Sequence, residues 1–565
     1  MASVTSLRRL YPQTPRIDRL DSKLRDSTSF VPVRRADWYP PSGYSESESN
    51  GPYDAAATGR RLIGWQPTRL GPTTSLWATR DMMLARCRDE VRNNPYAASA
   101  EDNFESQVIG NGIRPKWNVD SDALKLKLEE EFNIWASSKL CDHAGLLNFY
   151  GLQALVARED FEAGEVLIRR HIRPLDWRVS GRKLRIPLQL QVIESEQMPI
   201  WKNQVSFGTA KGNSIRTGIE FDSDGRRVAY HMYREHPGET MFYPIEGLTF
   251  VRVPSDSMLH VYKPVRAGLL RGQPTLSSVL VLLHELDKYT DAVVVKKQIQ
   301  TMFAGFIKKV SADGDVLPPD TSLNNSNSPY PYPPGAPDYG TIVSKIEPGT
   351  LQNLFPGEDI TFPNMPQDND IQTFLSVILH QFAVGIGATY EQITGDLRGV
   401  NLSSIRAGIL DMRRKCLQFI YNIMVTGFCQ PVLEWWLDEA VLSGRIRIPG
   451  YAADPWRFQD VTWNPSGWPW LDPLKDVQAK QAEVRNGFTS REMVCAERGD
   501  DVATVDAQQV ADNERAVEMG LVYDSNPAQV LIGRETNPTE PAPPDEEPVE
   551  EVKKQEQSSD QEQAG

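Results

Sequence analysis

Leu276-Ser-Ser-Val-Leu-Val-Leu-Leu-His-Glu-Leu-Asp-Lys-Tyr-Thr-Asp-Ala-Val-Val-Val-Lys-Lys-Gln-Ile-Gln-Thr-Met-Phe303 follows Gln273-Pro274 and contains no glycine or proline. At 1.5 Å per residue it predicts a helix of roughly 40 Å, longer than a typical globular helix. Glu285, Asp287, Lys288, Asp291, Lys296 and Lys297 exclude a membrane span. Such a helix packs lengthwise against another long element or a neighbouring subunit.

On its C-terminal side, residues 310–340 are rich in Pro, Asn, Ser and Tyr and read as an exposed extended loop. Short strands are expected near Gly340-Thr-Ile-Val and Asp359-Ile-Thr-Phe, with turns at Glu347-Pro-Gly and Phe355-Pro-Gly-Glu. A helix follows Asp368-Asn-Asp, runs to about Val384 and ends in Gly385-Ile-Gly387. Residues 394–404 (TGDLRGVNLSS) are polar and flexible, and a second long helix starts at an N-cap Ser403 or Ser404 and runs toward Trp436. Within it Cys416–Leu433 carries no formal charge. Gln418, Asn422, Thr426 and Gln430 recur every fourth residue and draw a polar stripe down one face, with Pro431 near the end. That stripe suits an amphipathic helix inside a protein assembly better than a lipid-facing span.

On the N-terminal side, residues 1–60 read as a flexible arm. A helical pattern over 75–105 should break at Pro95 and stop at Gly110-Asn111-Gly112. Helices are expected at 121–138 and 145–158, then strands at Val166-Leu-Ile, Leu184-Arg-Ile, Leu188 to Ile193 and Val228 to Tyr233. Ile219-Glu-Phe, Asp222-Ser-Asp-Gly225 and Arg227 onward form a hairpin signal. Its Asp-x-Asp-Gly lacks the remaining ligands of a calcium loop. At the C-terminus, Asp472-Pro473 starts a helix that Gly487 closes, Thr489-x-x-Glu492 reads as a capping box, and a third helix covers 505–519. The tail from 535 is Pro/Glu-rich and expected to be disordered. The whole predicts an α+β fold, mainly helical.

Composition narrows the function. A chain of 565 residues holds about four units. The net charge is −14, of which residues 535–565 supply −8 through ten acids and two lysines. The mildly acidic body lacks the basic face of a tight, sequence-specific duplex binder. Five cysteines without a CxxC exclude a cysteine-rich zinc site and suit a reducing compartment. The start, MASVTSLRRLYPQTPRIDRL, has no apolar signal region.

Catalytic patterns are absent from the sequence. His284-Glu285 lacks the second histidine of a zinc-protease helix, Lys288 standing there. Cys141 and His143 have no further clustered ligands. Gly208-Thr-Ala-Lys-Gly-Asn-Ser214 misses the phosphate-loop spacing, Gly385-Ile-Gly387 follows a helix instead of a strand, and no GxSxG occurs. The acidic pairs Asp313/Asp315 and Asp500/Asp501 read as solvated turns or helix starts. No catalytic residue, metal ligand or cofactor is assigned.

The order of segments resembles the portal proteins of lambda-type tailed phages. The resemblance is carried by Arg86 to Tyr96 (RCRDEVRNNPY), Val108 to Pro115 (VIGNGIRP), Gly218-Ile-Glu-Phe-Asp with Val228-Ala-Tyr-His, and Val261 to Pro274 (VYKPVRAGLLRGQP). Glu347-Pro-Gly-Thr-Leu through Phe355-Pro-Gly-Glu358 belongs to the same series. Its most specific part is Gly387 to Asp396 (GATYEQITGD) followed by Asn401-Leu-Ser-Ser-Ile-Arg406, where Leu402 replaces the family's frequent Tyr. It covers roughly 50–520.

The resemblance implies a ring, usually a dodecamer, at one capsid vertex. Double-stranded DNA is packaged and ejected through it without sequence preference, and it has no catalytic activity of its own. Implied partners are the terminase large subunit, a head–tail connector or adaptor protein, and the major capsid and scaffold proteins, with no membrane. The implied location is the portal vertex of the virion, and the host cytoplasm during assembly. Its regions map as a flexible arm (1–55), a mixed α/β wing (56–270), a stem helix (271–304), a clip with the Pro-rich insert (305–366) and a returning stem helix (367–390). A tunnel loop (391–404), a long helix with wing return (405–470), a helical crown (471–525) and an acidic tail (526–565) complete the map. Candidate channel residues are Asp396, Arg398, Asn401, Ser403, Ser404 and Arg406. Candidate clip contacts to a partner or DNA are Lys308, Lys309, Lys345 and Glu347. The competing readings are a metal-dependent nucleic-acid-processing enzyme, which needs acids converging in space, and another virion component such as a tail or baseplate protein.

Overall fold

Proline and asparagine set the rhythm of the first helices: α1 (Pro72–Trp77), α2 (Arg80–Asn93) and α3 (Pro95–Val108). The break expected at Pro95 is a complete N-cap, because Asn94 Oδ1 accepts from the amides of Tyr96 (2.9 Å) and Ala97 (3.3 Å). The computed structural model describes residues 67–521 apart from 180, 205–211, 240, 242–248, 303–305, 310–357, 362–370 and 469–472. The arm, the Pro-rich insert, the strand expected at Gly340 and the acidic tail lie outside the described residues.

Strand β1 (Arg114–Trp117) leads to α4 (Asp122–Ala136), capped by Ser121, and α5 (Phe149–Ala163), capped by Asn148. Helix α5 starts later than expected because Asp142 accepts from the amides of Ala144, Leu146 and Leu147, which holds that stretch as a turn. Next come β2 (Glu165–Ile172), β3 (Arg178–Val179), β4 (Arg182–Lys183), β5 (Leu188–Ile193), β6 (Ser214–Arg216), β7 (Ile219–Phe221), β8 (Arg227–Tyr233), β9 (Phe250–Pro254) and β10 (Met258–Tyr262). They form antiparallel sheets in the orders β10-β2-β5 and β6-β7-β8-β9, with β3-β4 as a separate hairpin. The Asp222–Gly225 turn is a plain one: Asp222 Oδ1 accepts from the amides of Asp224 (3.0 Å) and Arg226 (2.8 Å). Leu184-Arg-Ile is not a strand. Leu184 and Ile186 are buried as an irregular segment ahead of Pro187, which cannot donate to a ladder.

The long helix is α6 (Leu280–Met302), entered through a single 3₁₀ turn at Thr275–Ser278. A short antiparallel pair, β11 (Phe306–Lys309) with β12 (Glu358–Thr361), follows it, and α7 (Ile371–Ile386) returns beside it. At Gly385 a β-carbon would stand 2.3 Å from Val279 Cγ1, so glycine sets how closely α7 approaches the foot of α6. Val281, Val294 and Val295 of α6 and Phe374, Val377 and Val384 of α7 stay exposed.

After the short helix α8 (Tyr390–Thr394), the second long helix begins at Leu402. Its N-cap is Asn401, whose Oδ1 accepts from the Ser404 amide at 2.8 Å, and neither Ser403 nor Ser404 is the cap. It runs as α9 (Leu402–Phe419), a π-helical segment (Ile420–Cys429) and α10 (Gln430–Leu442). Pro431 therefore lies inside a continuous helix. The π winding supplies the altered register there, with the Gln430 amide bonding Val425 O five residues back. The polar stripe faces out: Gln418, Asn422 and Thr426 are exposed, and Gln430 accepts from Trp463 Nε1 at 2.9 Å.

Ser404–Leu442 is long and apolar enough to cross a membrane by length and composition. Its apolar face is instead spent on the core, where Met424, Phe428, Cys429 and Trp436 are fully buried with Phe132, Phe149 and Trp117. Phe132 meets Trp436 edge-on at 5.1 Å and Phe149 edge-on at 5.7 Å.

The C-terminal part adds α11 (Trp456–Gln459), β13 (Val461–Asn464) paired with β1, α12 (Pro473–Arg485), α13 (Arg491–Glu497) and α14 (Val502–Glu518). Ser490, not Thr489, caps α13, because its side chain accepts from the Met493 amide; Glu492 pairs with Lys116 instead. Helices α12 to α14 bury no side chain fully.

Candidate functional site

The loop between α8 and α9 has a fixed base and a bare tip. Asn103 Nδ2 donates to Gln392 O (2.7 Å) and Ser99 Oγ to Ile393 O (3.0 Å), which ties α8 to α3. His380 of α7 stacks on Tyr390 at 4.4 Å and 7°. Gly395 and Gly399 adopt positive φ with open space around them, so the chain turns twice without a packing partner. Between them Asp396 receives two bonds from the Arg398 guanidinium, both 2.8 Å, and one from its amide at 3.0 Å. Arg398 thereby holds the Asp396 carboxyl down at about 2. The Arg398 side chain is 81 % exposed, and Leu397 beside it is exposed too. An open groove of about 770 Å³ runs along this loop, lined by Tyr96, Leu375, Leu379, Tyr390, Asp396 and Arg398.

The other candidates divide. Asn401 and Ser404 are engaged in capping α9. Arg406 Nη2 donates to Asp476 Oδ1 of α12 at 2.9 Å, so it braces the loop's second anchor. Ser403 lies in the first turn of α9.

At the foot of α6 sits a second charged constellation that sequence reasoning missed. Glu165, wholly buried, accepts from Arg271 Nε (2.7 Å), His260 Nε2 (3.0 Å) and the Gly272 amide (2.6 Å), and forms an ion pair with Arg80 Nη2 at 3.0 Å. Arg271 also donates to the carbonyls of Met198 (2.9 Å) and Thr217 (3.0 Å), and Arg80 to those of Ala163 (3.2 Å) and Gly272 (3.3 Å). Burial would push the Glu165 carboxyl up, but the two guanidinium groups hold it well below its usual range. Burial pushes the fully enclosed His260 down to about 4, so it stays neutral and donates through Nε2. Its Nδ1 is left to accept from Arg227 Nη1 at 3.3 Å, a tautomer assigned from these partners. Gly164 and Gly272 cross back to back: a β-carbon on Gly272 would sit 1.9 Å from Gly164 O. This joint ties α2, β2, β10 and the lead into α6 together. Its one sequence signal is the glycine-rich lead Gly268 to Pro274.

Residues 58–419 match the family described as phage portal protein, lambda family. The chain belongs to that family. It is similar to the probable portal protein of Halomonas phage phiHAP-1, with 26% identity over 460 residues, 79% of this chain and 82% of the relative. The portal protein of Escherichia phage N15 is 24% identical over 491 residues (82% and 89%), and portal protein B of Escherichia phage lambda 23% over 498 (82% and 89%). Among solved structures, the neck of a native gene transfer agent particle with C12 symmetry covers 76% of this chain and 95% of its own, at TM-score 0.38 and 14% identity. The neck of the empty particle with C6 symmetry gives 0.40 and 16%, covering 75% and 94%.

In this portal chain Lys308 and Lys309 lie on β11 at register positions opposite Asp359 and Glu358. Lys345 and Glu347 lie outside the described residues. Among the described residues, Glu194, Glu196 and His236 have metal-like spacing. Arg88 already fills that place, reaching Glu196 at 2.6 Å, Glu162 at 2.7 Å and Glu159 at 3.0 Å. His236 Nδ1 accepts from the Gly238 amide at 3.0 Å, which leaves Nε2 as the protonated nitrogen facing Glu194.

Proposed function

We propose that this chain forms a closed ring at one vertex of the capsid and serves as the passage for double-stranded DNA during packaging and ejection. It acts as a structural conduit and not as a catalyst. The observation that carries this reading is the lambda-family portal match across residues 58–419.

In this reading α6 and α7 are stem struts whose exposed valines and Phe374 meet neighbouring copies. The 395–400 loop faces the lumen, and its mobile contact to phosphate is Arg398. The charge balance suits passage: a mildly acidic wall with isolated cations repels more than it grips, and each contact breaks as DNA advances. Residues 305–366 form the clip that meets the terminase large subunit during packaging and a connector protein afterwards. Helices α12 to α14 form the crown, and the exposed Leu474, Val517 and, in the α12–α13 connection, Phe488 pack against other copies.

The test is deletion of residues 394–404 in a phage carrying this gene. Rings are expected to form normally, while packaged DNA is lost or packaging fails. Normal packaging and retention would remove the tunnel-loop assignment.

A further inference from the structure

Against a net charge of −14, one segment is strongly basic. Residues 169–185 hold six arginines and one lysine with a single acid, Asp176. They comprise the end of β2, the β3-β4 hairpin and the approach to β5. Strand β2 starts at the Glu165 joint and is eight residues long, so the hairpin leaves it about 26 Å away, at the end opposite the foot of α6.

Three features set this segment apart from an ordinary solvated turn. First, Arg178 and Lys183 are directly opposed in the β3-β4 register. Like charges placed so are mutually destabilising, and among the described residues neither they nor the exposed Arg182 has an acidic partner; Arg178 reaches only the Gly181 carbonyl, at 3.3 Å. Second, Arg173 lies 5.0 Å over the exposed Trp177 ring and donates to Gln189 at 2.9 Å, so a flat cationic and aromatic surface is held in place. Third, His143 and His171 stack at 4.4 Å beside it, and both are pushed below the ordinary histidine range, by burial first and then by Arg169 and Arg173 among the nearby charges.

We propose that this hairpin is a second DNA-contact surface, outside the channel, which binds the phosphate backbone of duplex DNA without sequence preference. Opposed, unpaired cations suit a partner with densely spaced charge, and duplex DNA carries about one charge per 1.7 Å of axis. The chain's own acidic stretch 535–565 is the rival, with net −8 over 31 residues, a far sparser charge. Arginine forks over an aromatic face also suit phosphate groups. The inference rests on the portal reading only for the identity of the polyanion.

The test uses the full-length assembled protein and a covalently closed circular duplex, which cannot thread a closed ring. Gel-shift titrations run from 50 to 200 mM NaCl. The triple variant Arg178→Ala/Arg182→Ala/Lys183→Ala is expected to bind roughly tenfold more weakly at 150 mM, with a salt slope lower by about 2–3. Arg178→Lys/Arg182→Lys, which keeps the charge, is expected to retain most binding and guards against a folding defect, as does an unchanged circular-dichroism melt. Equal affinity and slope for wild type and the triple variant would overturn the proposal. So would wild-type protein that binds a peptide of residues 535–565 through this hairpin but ignores the circle. Ring assembly is read separately by negative-stain images, so loss of this surface and failure of the ring reading are distinguishable.

Discussion

The same pairing of arginine with carboxylate appears in two settings. Around Glu165 the guanidinium groups of Arg80 and Arg271 are at most 2 % exposed, and they lie 85 and 106 positions from it in the chain. In the 395–400 loop Asp396 and Arg398 are two residues apart, and Arg398 is largely in water. Burial makes the first cluster all-or-nothing, since removing one partner strands a charge in a low-dielectric interior. Exposure makes the second nearly neutral for stability, so Arg398 can exchange Asp396 for another anion. A rigid joint at the foot of the long helix and a replaceable contact at its neighbour's loop are two uses of one chemistry.

The strongest attempt to break this contrast is Arg271→Ala, expected to cost about 3–5 kcal/mol, read as a large drop in the urea midpoint. If the variant is as stable as the parent, the joint is not a closed charge system. Next is Gly272→Ala, where the new methyl meets Gly164 O; overpacking of about 1–3 kcal/mol is expected, measured the same way.

A third test uses pH. Burial pushes the carboxyls of Glu101 and Asp160 up to about 8, so the folded chain keeps protons that the unfolded chain has lost. Their contribution is complete below the unfolded carboxylate range and fades as pH rises through 8. The melting temperature should fall from pH 6.5 to 8.5, and Asp160→Asn should make that fall shallower; a flat profile in the parent contradicts the assignment. His260 gives the opposite limb, with stability declining as pH drops from 6.5 through 4. The smallest effect belongs to the loop: Arg398→Ala should leave the urea midpoint unchanged, and a measurable loss would show that the loop is built into the fold.

Much of the fold was legible because local signals decided it. Pro95 after Asn94, the glycines at 110 and 112, the Asp222–Gly225 turn and the glycine-free run into α6 each act within a few residues. The errors came where a neighbour decided. Asn401 outcompetes Ser403 and Ser404 as a cap, and Ser490 outcompetes Thr489. Leu184 and Ile186 follow burial instead of β-propensity. The Glu165 joint was invisible because periodicity reads apolar faces, while its charged members are buried and far apart in sequence. Of the channel candidates, Asp396 and Arg398 share one turn, and Arg406 donates to Asp476 of α12.

The most direct measurement is electron cryo-microscopy of the assembled full-length protein. The account predicts a closed ring with a duplex-wide lumen, with the 395–400 loop and Arg398 projecting into it. A ring with that loop on its outer rim, or a monomer that cleaves DNA with magnesium, would contradict it.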